Sequence, residues 1–173
     1  MDIKMNYTIS TNETEVNRFL FQITHGLYIL TTVSEDKLNG QCIDALMQVT
    51  NVPPRVALCV RKKSLTHEMI LKSKICAISV IDKEEPGHID KVKHFGFKSG
   101  RNVDKFADIS FETGENGSPI LPDAKAFYEC HISNVVDLDT HTMFIADVDR
   151  AGFKEAGEPF TYNEYRKTLK KKE

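Results

Sequence analysis

Several signatures that would decide a protein's class at once are missing from these 173 residues. No G-x-G-x-x-G links a strand-like run to a helix, so the Rossmann dinucleotide fingerprint is absent; "TGENGSP" has only two glycines and reads as a turn. There is no P-loop. The four cysteines, Cys42, Cys59, Cys76 and Cys130, stand far apart, with no C-x-x-C and no Cys/His pair at zinc spacing, so no metal site is expected. Three of them lie in the apolar runs "ALCV", "ICAISV" and "FYECHI", where a reduced cysteine acts as a small hydrophobe. A net charge of -2 argues against a nucleic-acid partner. No apolar run approaches membrane-spanning length, and "MDIKMNYTISTNETEVN" lacks a signal peptide's apolar core. A reduced, cytoplasmic protein with no membrane partner is expected.

What is present is ordinary globular composition, 40% apolar and 28% charged. The length favours a single domain over 1–173, with its core at about 12–166 and a frayed basic tail at 167–173. "NETEVNRFLFQITHG" predicts a short amphipathic helix, capped by Asn12 or Thr14, with Val16, Phe19, Leu20 and Ile23 on one face and Gly26 at its close. "LYILTTV" and "QCIDALMQVTN" read as two strands joined by a long loop ending in Asn39-Gly40. Pro53-Pro54 must break the second strand, because prolines lack ladder donors. "VALCV" is a buried strand; "SLTHEMILKSK" is a helix capped by Ser64 that buries Leu65, Met69, Ile70 and Leu71; "ICAISVI" is a strand. "EPGHIDKVKHFG" reads as helix, "FKSGRNVDKF" and "ETGENGSPILP" as loops. "AFYECHISNVVDL" and "HTMFIADVDRAGF" are two further strands, and "EPFTYNEYRKTL" is mixed. Six or so strands with few helices and no regular βα alternation predict a mainly β protein, a closed or partly closed barrel.

One corner, "RKKSLTHEMI", has the parts of an anion site. A strand delivers the chain to a helix N-terminus, whose free N–H groups and positive dipole end favour an anion. Ser64 and Thr66 add hydroxyl donors, and Lys62 or Lys63 adds charge. Taken alone, the same corner also fits an N-capped surface helix with solvated lysines.

Read together, "NGQCIDALMQVTNVPPRVALCVRKKSLTHEMI", "HFGFKSGRNVDKF", "GENGSPIL" and "DLDTHTMFIADV" resemble, in order, the flavin reductase-like family of FMN-binding split β-barrels. The likeness is greatest to its rubredoxin-linked branch and runs from about Gly26 to Tyr165. It implies a Greek-key split barrel with a few flanking helices, and an oxidoreductase in which FMN takes hydride from NADH or NADPH. Electrons would pass to free flavin, rubredoxin, ferric iron or oxygen. The alternative it leaves is a flavoredoxin-like carrier reduced by a partner protein.

By position the resemblance puts the isoalloxazine and ribityl chain at Met47, Gln48, Val49, Thr50 and Asn51, largely through backbone amides. The phosphate falls at Lys63, Ser64, Leu65 and Thr66, with His67 beside it. Phe97, Ser99 and Gly100 belong to a loop closing over the cofactor, where Phe97 either stacks on the ring or packs in a satellite core. His141, in "THT", falls near flavin and nicotinamide as the catalytic candidate; on the residues alone it is an ordinary structural or exposed histidine. Asp44 departs from the pattern, since a carboxylate repels a phosphate. A homodimer is implied, with the first helix and the segment Tyr162 to Leu169 as interface cover. With no four-cysteine iron site in the sequence, a rubredoxin or ferredoxin-type partner is expected to be a separate protein.

Overall fold

The computed structural model describes residues 6–170; the first five and the last three residues, the latter part of the expected basic tail, lie outside it. Nine strands and four helices follow in order: α1 Glu13–Leu20, β1 Tyr28–Ser34, β2 Lys37–Ile43, β3 Leu46–Asn51, β4 Pro54–Arg61, α2 Leu65–Ser73, β5 Ile75–Val80 and α3 His88–Phe97. Then come β6 Glu112–Thr113, β7 Pro119–Ile120, β8 Ala126–Leu138, β9 His141–Phe153 and α4 Tyr162–Lys170. Seven strands form one antiparallel sheet in the order β2-β1-β5-β8-β9-β4-β3.

Alternation along the strands sends one set of side chains inward. Leu30, Ile43, Leu58, Ile78, Cys130 and Phe144, from β1, β2, β4, β5, β8 and β9, meet in one buried cluster with Ile70 of α2. A sheet whose strands all face one cluster is curled into a barrel. Its two edges, β2 and β3, are consecutive in the chain and do not pair with each other, so the barrel is split there. The other face of β1 and β5 supports a second cluster, in which Ile29 and Ile81 meet Val92 and Phe95 of α3, Phe106, Leu121, Phe160 and Tyr165.

The structure corrects several expectations. The turn of the first hairpin is Glu35-Asp36, two residues at φ 50° and 60°, and Asn39-Gly40 lies inside β2, opposite Thr32 and Thr31. The segment 41–51 is two strands on opposite sheet edges, parted at Asp44-Ala45. The diproline does break it, but Pro54 opens β4 opposite Asn51, a strand-start position where its missing donor is harmless. Asn12 caps α1 by accepting from the Glu15 N–H; that helix ends at Leu20 and buries no residue. On α2 the buried face is Thr66, His67, Met69 and Ile70, while Leu71 is exposed. The loop at 112–122 carries the small β6–β7 ladder, and the mixed C-terminal segment ends in α4.

Leu58 is fully buried on β4, between β3 and β9. Leu58→Ala is expected to destabilise the fold by about 2–5 kcal/mol, measured by urea denaturation. A loss under about 1 kcal/mol would show that this cluster is not the core.

Candidate functional site

Ser64 caps α2 as the sequence predicts: its Oγ accepts from the His67 N–H at 3.2 Å. The N–H groups of Leu65 and Thr66 have no acceptor among the described residues. They lie at the positive end of a helix, and both residues line a cavity of about 450 Å³, a size suited to a small-molecule ligand. Arg61, Lys63 and Ser64 to Thr66 line it on one side, Gln41 to Asp44 and Cys59 on another, and Phe95 to Gly100 on a third. Asn39 and Lys105 complete it as deeply buried polar groups. Its lining carries Arg61, Lys63, Lys98 and Lys105 against one carboxylate, Asp44, so it favours an anion.

Of the residues singled out in the sequence, Lys63, Ser64, Leu65, Thr66, Phe97, Ser99, Gly100 and His141 share this cavity. His141 is half-buried, faces Arg61 in the β4–β9 register, and holds its Nδ1 2.8 Å from Thr140 Oγ1. Phe97 is 74% exposed and so lies outside the core. His67 is buried instead of facing the ligand space; its Nε2 is 2.8 Å from Thr142 Oγ1 of β9. Burial, then Lys62, holds it below the usual histidine range, so the ring is neutral near pH 7. Lys62 is committed elsewhere, with Nζ 2.6 Å from Asp137 Oδ1, leaving Lys63 as the lysine of that pair in the cavity wall.

Met47, Gln48, Val49, Thr50 and Asn51 do not line this cavity. They form an exposed edge strand whose only ladder among the described residues is to β4. Met47 and Gln48 line a separate space of about 340 Å³ with Tyr28, Leu46 and Tyr128.

Sequence reasoning missed Asn39, Gln41, Cys42, Cys59, Arg61 and Lys105 in this role. Asn39 Nδ2 donates to Thr66 Oγ1 at 2.9 Å. Lys105 Nζ donates to Gly40 O at 2.7 Å and to Phe95 O at 3.0 Å, tying β2 to the last turn of α3. The Cys42 thiol is pushed up to about 12, by burial first and then by Asp44, so it is no thiolate nucleophile at neutral pH. The alternation of β2 was the available signal, and it was hidden by reading Asn39-Gly40 as a turn. Among the described residues no group of three or more His, Cys, Asp or Glu side chains is placed to hold a metal ion. No described helix is long and apolar enough to cross a membrane.

With strand order, cavity and capped helix in view, the class is that of a split β-barrel protein with a cation-lined cavity at a helix N-terminus. Residues 20–169 match the flavin reductase like domain family, and the chain belongs to that family. It is 41% identical over 147 residues to the high molecular weight rubredoxin of Moorella thermoacetica, covering 84% of this chain and 63% of that protein. The chain therefore spans less than two thirds of that relative. It is 30% identical over 146 residues to the ferric-chelate reductase (NAD(P)H) of Archaeoglobus fulgidus, covering 84% of this chain and 85% of the reductase. The structure of the NADH:FAD oxidoreductase SgcE6 of Streptomyces globisporus superimposes with a TM-score of 0.80 at 24% identity, over 91% of this chain and 93% of that one. At that identity the likeness speaks for the fold alone.

Burial pushes the Lys105 ammonium from 10.5 down to about 8, with Cys42 partly offsetting this. Between those values the unfolded chain binds more protons than the folded one, so this group's contribution to stability rises with pH across that window and is flat below it. Compared with Lys105→Met, the wild type is expected to gain stability as pH goes from 8 to 10.5 in urea titrations. A difference that does not change with pH contradicts the assignment.

Proposed function

We propose that this chain binds FMN in the cavity between β2, α2 and the end of α3, and works as an NAD(P)H-dependent oxidoreductase. The observation that carries the reading is the pair of N–H groups without an acceptor among the described residues at Leu65 and Thr66, two residues of the cavity wall that they share with Lys63 and Arg61. Such a corner suits a phosphate ester, because backbone donors and a helix dipole stabilise its charge without titrating. The flavin, once bound, supplies the two-electron chemistry, and the protein's part is to bind, orient and shield it.

The residues fit those tasks. Lys63, Ser64, Leu65 and Thr66 hold the phosphate. Gln41 to Asp44 border the ring, and Met47 to Asn51, which follow them in the chain, lie outside the cavity on an edge strand whose outer backbone donors are open to a ligand or a second chain. Phe97, Ser99 and Gly100 cover the ring; the exposure of Phe97 leaves an aromatic face free to stack on a planar ring. His141, also in the cavity wall, would serve as a donor able to stabilise negative charge developing on the reduced flavin. The names of the relatives support the nicotinamide donor: one is an NAD(P)H-dependent ferric-chelate reductase. Free flavin, a separate rubredoxin, ferric iron or oxygen is the acceptor in this reading.

A second copy of the chain fits the exposed apolar surface. Val16, Leu20, Phe21 and Ile23 on and after α1, and Met47, Val49 and Val52 around β3, are all at least 36% exposed. Exposed apolar side chains on an edge strand and on an amphipathic helix suit a contact surface.

The purified protein loaded with FMN is expected to lose its visible absorption when NADH or NADPH is added without oxygen. No bleaching by either nicotinamide, with reduction by a ferredoxin-type donor instead, would replace the enzyme by an electron carrier. Sedimentation is expected to give a homodimer; a monomer with full FMN occupancy would contradict the second-copy assignment.

A further inference from the structure

We infer that Asn39 is a positioning residue for the anionic end of the ligand: it fixes the Thr66 hydroxyl as a donor into the cavity and so sets the preference for phosphorylated over unphosphorylated flavin. The inference rests on the flavin reading above and adds to it a residue of the cavity wall that acts on the anionic end through Thr66.

Asn39 is 2% exposed on β2, and Thr66, in the first turn of α2, is 1% exposed. Their side chains meet at 2.9 Å. Which end of the amide faces the threonine is decided by Gly100. A Cβ on Gly100 would stand 2.1 Å from Asn39 Oδ1, so the Cα–H bond in that direction is aimed at this oxygen. A C–H group is a weak donor and pairs with an oxygen; the amide turned over would set N–H against C–H. Asn39 Oδ1 has no other partner among the described residues. The Nδ2 group therefore donates to Thr66.

A hydroxyl has one hydrogen and two acceptor positions. Asn39 fills one acceptor position, and Thr66 Oγ1 has no other partner among the described residues. Its hydrogen is left for the cavity, where it joins the N–H groups of Leu65 and Thr66 as a third donor. Gly100 belongs to the same device, since any larger residue would push Asn39 off the threonine.

The test is titration of the flavin-free full chain with FMN and with riboflavin, for wild type, Asn39→Leu, Thr66→Ala and the double variant. The wild type is expected to bind FMN more tightly than riboflavin. Asn39→Leu should cut that preference roughly tenfold while riboflavin affinity stays within about twofold. Thr66→Ala should do the same, and the double variant should lose no more than Thr66→Ala alone. If the leucine variant does not fold, Asn39→Ser takes its place and is read the same way. An unchanged FMN preference in the Asn39 variant, an equal loss of riboflavin binding, or additive losses in the double variant would each overturn the inference. A wild type that binds both flavins equally would instead refute the phosphate corner itself, and the inference with it.

Discussion

Two buried hydrogen bonds, from Asn39 of β2 to Thr66 and from His67 to Thr142 of β9, fasten the first turn of α2 to two separate strands of the barrel. Each joins polar groups that are nearly inaccessible to water, and a buried polar group without its partner costs about 1–3 kcal/mol. The helix therefore has one favourable seat, with Ile70 fully buried in the barrel cluster and the cap residue Ser64 at the cavity wall. Donors held in advance of the ligand need no reorganisation when charge arrives, which is what makes a fixed helix end effective toward an anion.

The far side of the cavity is fixed by one cation. Lys105 is 4% exposed and spans Gly40 on β2 and Phe95 at the end of α3, so strand and helix cannot drift apart without stranding an ammonium. Its lowered pKa shows that burial opposes the charge. The same charge adds to Arg61, Lys63 and Lys98 in setting the sign of the cavity. Packing and ligand electrostatics thus draw on the same side chain.

Much of this was legible in the sequence because local chemistry and tertiary structure agreed. Ser64 reads as a cap and is one, and the run from β4 into α2 sits where β-branched and capping residues place it. The failures occur where a residue serves a distant partner. Asn39-Gly40 has the composition of a hairpin turn, yet Asn39 is there to reach Thr66, and Gly40 because a Cβ would stand 3.1 Å from Phe95 and 3.2 Å from Leu30 O. The turn is made instead by Glu35-Asp36, earlier in the segment expected to be a loop. Thr66 and His67 were not expected on the buried face of α2, since polar residues there are admissible only with partners 27 and 75 residues away. Lys105 likewise looks like a solvated loop lysine until Gly40 and Phe95 are brought beside it.

The most direct measurement is a crystal structure of the protein grown with FMN. The account predicts phosphate oxygens accepting from the N–H groups of Leu65 and Thr66, with the ring against Gln41 to Asp44. Flavin bound elsewhere, with that helix end in contact only with solvent, would contradict it.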